Sequence, residues 1–185
     1  MDFITSCLPP APARVLDAGC GDGLLADTLR ADGYAVTAID VDPVWARPGI
    51  RIADICGFRD GEAYDAVVFS LSLHHVDDLG CALNAAGALL RPSGRLVVDE
   101  FAHEAADAAI ADRYFGAAGS LPRWREKHRS LHTGTAMLEA VARRFAITSL
   151  TRVPYLHRYL EDESLREVES VLGLRLVAER RQESS

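Results

Sequence analysis

No stretch of this 185-residue chain reaches the eighteen or so consecutive apolar residues needed to cross a membrane, although 49% of it is hydrophobic. Its opening residues, MDFITSCLPP, lack the basic start and apolar run of a secretory leader. The four cysteines, Cys7, Cys20, Cys56 and Cys81, show neither CxxC nor zinc-type spacing. These absences set the expectation of a cytoplasmic protein with reduced, partly buried thiols, no bound metal and no membrane partner. Positive charge is scarce too. Twenty Lys and Arg against 27 Asp and Glu leave a formal net charge of −7, which argues against nucleic acid as a partner.

The deficit is uneven. Residues 1–112 carry 7 basic and 18 acidic side chains, residues 113–158 carry 9 and 2, and the last 27 carry 4 and 7. Two readings of the basic stretch stand side by side: a solvated face, or a surface that meets an anionic small-molecule substrate.

What is present is alternation. Apolar runs follow helical patterns in turn, as in an α/β domain with a mainly parallel sheet. Strands are expected at Arg14–Ala18, Tyr34–Asp40, Ile50–Asp54, Asp65–Ser70 and Arg95–Phe101. Helices are expected at Leu24–Ala31, about Leu79–Leu90, His103–Phe115 and Thr135–Phe145, with Gly116–Pro122 a loop. Only nine residues, holding Pro43, Pro48 and Gly49, separate the second and third strands, too few for a crossover helix. Two late β-rich stretches, Ala146–Tyr155 and Leu174–Glu179, suit an antiparallel pair at one sheet edge. No repeat or linker divides the chain, so residues 1–185 read as one domain.

The first strand runs into VLDAGCGDG, with Gly19, Gly21 and Gly23 in five positions. In a parallel sheet, ligands sit beyond the carboxyl ends of the strands, and glycines there permit close approach to the backbone. The spacing D-x-G-x-G-x-G departs from the G-x-G-x-x-G of dinucleotide binders, and Asp22 inside the turn suits a diphosphate poorly. Asp17, at the strand end, is placed to attract a cation such as an amino-acid ammonium.

With VLDAGCGDG, TAID, IRIADI, YDAVVFSLSLHHV and LLRPSGRLVVDEF in this order, the chain resembles the class I S-adenosylmethionine-dependent methyltransferases of small-molecule type. The resemblance implies a Rossmann-like, doubly wound and mostly parallel seven-stranded sheet with an antiparallel C-terminal edge hairpin. It divides the domain into a cofactor part at about 13–101, a substrate cover at about 102–144 and closing strands at about 146–180. It implies S-adenosylmethionine as cofactor and S-adenosylhomocysteine as product. Gly19, Gly21 and Gly23 would lie against ribose and methionine, with Asp17 toward the ammonium. Asp40 would accept the ribose hydroxyls, Asp54 the adenine amine, Val41 and Ile55 would cover the adenine, and Ser70 and Leu71 would meet the methionine end.

Methyl transfer from a sulfonium is an in-line displacement, to which positioning contributes up to ~7–11 kcal/mol in favourable cases. A base is needed only for an acceptor that must lose a proton, as a hydroxyl does. His75, Glu100 and His132 are the candidates, with His74, Arg123, Trp124, Arg125 and His128 expected around the substrate. The [N/D]-P-P-[Y/F] motif of DNA-base and protein-amide methyltransferases is missing after the fourth strand. The reading is therefore transfer to a small molecule, at oxygen first, with a catalytically silent cofactor-binding regulator as the alternative. A nicotinamide oxidoreductase fails on glycine spacing and on the lack of Tyr-x-x-x-Lys.

Overall fold

The computed structural model describes residues 3–162 and 172–181. Seven strands form one sheet: β1 (Arg14–Ala18), β2 (Ala35–Asp40), β3 (Ile50–Ile52), β4 (Tyr64–Ser70), β5 (Leu90–Phe101), β6 (Phe145–Val153) and β7 (Gly173–Arg180). Their spatial order is β3-β2-β1-β4-β5-β7-β6. The pairs among β1 to β5 are parallel, while β7 runs antiparallel to both β5 and β6. The doubly wound fold and its antiparallel edge are thus as expected. Residues 163–171, inside the expected closing segment, lie outside the described residues.

Side chains alternate across the sheet, so one strand feeds two cores. Leu16 and Ala18 of β1 join a large cluster under α3 (Leu79–Leu89) and α6 (Gly134–Arg144), with Leu83, Ala86, Met137 and Val141. Val15, Ala66, Val68 and Val97 face the other way, onto α1 (Phe3–Cys7) and α2 (Leu24–Ala31) through Ile4 and Leu29. Both faces are covered, which is why these strands read as unbroken apolar runs.

As the short link between β2 and β3 requires, a single turn at Pro43–Trp45 makes the crossing, its start capped by Asp42 accepting from the Val44 amide. Several boundaries differ from expectation, each for a local reason. β5 starts at Leu90 rather than Arg95, because Tyr64 pairs with Leu90 and Ala66 with Arg95, leaving residues 91–94 as a bulge. The expected His103–Phe115 helix breaks into a turn at His103–Ala105 and α4 (Ala108–Phe115), since Asp107 caps α4 by accepting from the Ile110 amide. The expected 116–122 loop ends two residues early, at Ser120, where α5 (Leu121–Lys127) begins with Pro122 in its first turn. The thiol expectation is also corrected: Cys56 and Cys81 are paired as a disulfide, while Cys7 and Cys20 are free. The pair lies 25 positions apart, and only the fold brings their Cα atoms to 5.6 Å. Among the described residues no helix is long and apolar enough to cross a membrane.

The C-terminal elements are tied to the sheet by one carboxylate. Asp99 of β5, 2% exposed, accepts from Arg175 of β7 at 3.2 Å and from Arg158 of α7 (Leu156–Leu160) at 3.1 Å. Replacing Asp99 with Asn keeps the shape but leaves two guanidiniums without their counter-charge. Asp99→Asn is expected to lower unfolding free energy by about 2 kcal/mol, read as a shift in urea midpoint at constant slope.

Candidate active site

The loop after β1 presses against the loop after β4, and Gly19 lies at their contact. A Cβ on Gly19 would sit 2.4 Å from Cβ of Ser72, and Ser72 Oγ donates to the Ala18 carbonyl at 2.6 Å. Gly19 is therefore demanded by the protein itself. Gly21 is different. It too is left-handed (φ 54°), but a Cβ there would meet nothing within 4 Å. Its open side is a stretch of bare backbone at the carboxyl edge of the sheet, where a ligand can lie.

Three expected cofactor residues frame this opening. Asp40, at the end of β2, accepts from the Gly21 amide at 2.8 Å and from the Asp42 amide at 2.9 Å, bracing the loop with both oxygens. Asp54 is exposed and accepts from the Cys56 amide. Val41 is 66% exposed beside Asp40. Ile55, by contrast, points into the main core, so its side chain contacts protein on the side away from solvent. Ser70 ends β4, and Leu71 follows at φ 56° with its amide bound to the Asp99 carbonyl. An aliphatic residue in that conformation is strained, and such strain gathers at functional turns.

Asp17 is the anomaly of the site. It is 1% exposed, and neither carboxylate oxygen has a hydrogen-bond partner among the described residues. Burial pushes its carboxyl up to about 7; the Asp40 and Asp22 carboxylates add to the rise and Arg30 opposes it. The N-terminus of α2 nearby is already supplied with acid, because Asp22 accepts from the Leu24 amide. The strand ends around Asp17 are thus lined with acidic groups, which suit a cationic ligand better than a phosphate.

Beyond β4 and β5 the structure regroups the expected catalytic residues. Glu100 is wholly buried and accepts from the Leu73 amide at 2.5 Å, the Phe101 amide at 3.0 Å and His74 Nδ1 at 2.5 Å. It faces protein rather than solvent. His132 Nε2 donates to the Val76 carbonyl at 2.7 Å. His75 is exposed, its ring 4.1 Å from that of His74, and partial burial holds it below the usual imidazole range.

The expected substrate residues divide by helix face. Trp124 and His128, four apart on and just after α5, turn inward, and Trp124 Nε1 donates to the His103 carbonyl. Arg123 and Arg125 are exposed, and Arg123 lies over the Phe115 ring. The basic stretch is therefore an outer face here, and the inner face is aromatic. Phe101 stacks on Tyr155 at 4.4 Å and meets Trp124 and His128 edge-on. A cavity of about 20 Å³, room for roughly one water, lies among Phe101, Tyr114, Trp124, His128, Tyr155 and Leu156. A larger groove of about 410 Å³ flanks β2 and β3, away from the strand ends that carry these groups.

Reading along the sequence misses His103, Phe101 and Tyr155. His103 is buried, stacks on His128 at 5.4 Å and is held below the usual imidazole range by burial. Its residue type and its place just past β5 were visible; its stacking partner, 25 positions on, was not. Among the described residues no three His, Cys, Asp or Glu side chains converge as metal ligands.

Sheet order, reversed last strand and glycine-lined crevice define the class I methyltransferase fold. The comparisons agree, and the chain belongs to the methyltransferase-domain family, whose model matches residues 1–145. It is 34% identical over 116 residues, 53% of this chain and 46% of the relative, to a ubiquinone biosynthesis O-methyltransferase of Xylella fastidiosa (strain 9a5c). It is 37% identical over 110 residues to an uncharacterised methyltransferase of Mycobacterium tuberculosis (strain ATCC 25618 / H37Rv), covering 54% of this chain and 56% of that one. The chain thus spans about half the length of the curated relatives it matches. Among solved structures, an S-adenosylmethionine-dependent methyltransferase from Methanosarcina mazei superposes with a TM-score of 0.70, 17% identity and 99% coverage of both chains. Geranyl diphosphate C-methyltransferase from Streptomyces coelicolor, solved with S-adenosylhomocysteine, gives 0.68 at 16% identity, covering 97% of this chain and 78% of its own.

The state of Asp17 has a measurable consequence. Its folded pKa of about 7 lies above the ordinary carboxylate value of 3.8, so between these pH values the folded chain holds a proton that the unfolded chain has lost. Stability from this group therefore falls as pH rises from about 4 to about 7, and stays low above that. Asp17→Asn is expected to be more thermostable than the parent at pH 8, the advantage shrinking toward pH 4, as melting temperatures across that range will show.

Proposed function

We propose that the chain is an S-adenosylmethionine-dependent methyltransferase acting on a hydroxyl group of a small-molecule acceptor. The observation that carries the reading is Asp17, a buried carboxylate with no partner at the open end of β1, beside the bare Gly21 backbone. A ligand with an ammonium group but no phosphate fits that chemistry, and S-adenosylmethionine is such a ligand. When bound, it supplies a methyl group on a sulfonium.

The residues divide the work as follows. Asp17 pairs with the ammonium, which removes the energetic cost of its isolation. Gly21 keeps a side chain off the ligand's path, while Gly19 and Gly23, whose Cβ positions would meet Ser72 and Arg47, let the loop close up into the shape that presents it. Asp40 accepts from the ribose hydroxyls with the lone pairs its two amide bonds leave free. Asp54, exposed next to Val41, accepts from the adenine amine, and the main chain at Ser70 and Leu71 meets the methionine end. Ile55 supports the adenine turn from the core side. The aromatic inner face of α5 suits an apolar or aromatic acceptor, and the outward placement of Arg123 and Arg125 removes them from it. Oxygen as the acceptor atom is supported by the name of the Xylella relative.

Calorimetric titration with S-adenosylmethionine, S-adenosylhomocysteine and NAD tests the cofactor. The first two are expected to bind and NAD not. Asp40→Ala removes two charge-assisted bonds and is expected to weaken binding at least tenfold, about 1.4 kcal/mol. Gly21→Ala projects a methyl group into open space, so it is expected to abolish binding with a loss of only about 1–2 kcal/mol in stability. Gly19→Ala, which collides with Ser72, is expected to lose more stability than that. Binding of NAD in place of the first two sinks the reading. Binding without methylation of any hydroxyl acceptor would leave a silent cofactor-binding protein.

A further inference from the structure

We propose that His74 and Glu100 form the proton-accepting pair of this site, with His74 the catalytic base and Glu100 a positioning residue that acts through it. The inference rests on the reading of the crevice as a methyl-donor site. It replaces the independent roles expected for Glu100 and His75 with one coupled unit.

The geometry selects the pair. Glu100 cannot reach an acceptor, because it is wholly buried and both oxygens are engaged. It can reach His74, whose Nδ1–H it accepts at 2.5 Å. That bond puts the ring proton on Nδ1 and leaves the Nε2 lone pair as the basic site. The main chain fixes the ring from both sides: Glu100 binds the preceding Leu73 amide, and the His74 carbonyl accepts from the His132 amide at 3.0 Å.

Charge separates His74 from its neighbours. His75, His103 and His128 all lie within its electrostatic reach, and burial holds each of the three below the usual imidazole range. His128 spends Nδ1 on the Trp124 carbonyl, and His132 spends Nε2 on the Val76 carbonyl. Carbonyls orient a ring but bring no full negative charge. Of these imidazoles, among the described residues only His74 is bonded to a carboxylate, which accepts its Nδ1–H and aims the ring. The His74 ring also meets Phe101 edge-on at 6.2 Å, which sets it against the aromatic group rather than the basic outer face. The acceptor class that fits is a flat, apolar ring bearing the hydroxyl to be methylated.

The step balances without a further reagent. The acceptor O–H proton passes to His74 Nε2 as the oxygen forms its bond to the methyl carbon. The carbon–sulfur bond breaks with its electron pair left on sulfur. The imidazolium, held against Glu100, then returns its proton to water.

Two readouts test this on the full chain loaded with S-adenosylhomocysteine or supplied with S-adenosylmethionine. Side-chain nitrogen NMR of the loaded protein is expected to show His74 as the Nδ1–H tautomer in the parent, and as a mixture in Glu100→Gln. Turnover is compared for catechol and 4-nitrocatechol, which present one ring with hydroxyls of very different acidity. His74→Gln and Glu100→Gln are expected to lower kcat for catechol about 100-fold, with recovery as pH rises, and for 4-nitrocatechol less than tenfold, at unchanged KM for S-adenosylmethionine. A purely structural role would depress both acceptors alike. That outcome, an Nε2–H tautomer in the parent, or a parent that methylates neither compound, overturns the pair. Calorimetry on the same samples separates the two levels. Protein that binds S-adenosylhomocysteine but shows the wrong tautomer fails on the pair alone, and protein that does not bind it fails on the cofactor and takes the pair with it.

Discussion

The three hydrogen bonds accepted by the buried Glu100 carboxylate are the constraint on which the rest of the site depends. One oxygen holds the Leu73 amide and so fixes the turn that leaves β4; the other holds the amide of Phe101 and the ring of His74. Because the β4 turn is fixed, Ser72 is pressed against Gly19 and bonded to Ala18, which sets the shape of the glycine loop on the neighbouring strand. Because Phe101 is fixed, Tyr155 and Trp124 have a platform to pack on. A charge this deep is tolerated because it is satisfied from three directions.

Three buried carboxylates on β1 and β5 show how surroundings assign different work to one chemical group. Asp99 has two guanidiniums and serves cohesion. Glu100 has two amides and an imidazole and serves orientation. Asp17 has no partner and is held largely protonated below neutral pH by its burial. An unpaired carboxylate weakens the unliganded fold, and sites that do so are where a ligand completes the structure. The same opposition of stability and function accounts for Leu71, an aliphatic residue kept in the left-handed region where β4 opens toward the crevice.

Much of the fold was legible because parallel strands buried on both faces leave apolar runs, and glycine, proline and Asx caps punctuate them. Arg14–Ala18 and Leu24–Ala31 came out to the residue. The segment between β5 and β6 was less legible. Its helices are short, and whether Asp107 or Ser120 opens one depends on what packs beneath. The basic stretch divides in the same way. Arg123 and Arg125 alternate with Trp124 in sequence, but a helix sends neighbours to different faces, and the buried face took the tryptophan. The thiols followed suit, since nothing in the spacing of Cys56 and Cys81 pairs them and the fold does.

The sequence by itself determined the family, the sheet and the glycine loop, because these depend on local conformation and on the periodic burial of apolar side chains. It placed Asp17, Asp40 and Asp54 at strand ends, since a strand's end is a local property. Tertiary structure alone decided which groups share a hydrogen bond. Glu100 finds His74 across 26 positions, Asp99 finds Arg158 across 59, and Asp17 finds no hydrogen-bond partner among the described residues. Such pairings depend on distances between strands that are neighbours in the sheet but not in the chain. The chemistry of a side chain is written in the sequence; its charge state and its role are set by the neighbours the fold supplies.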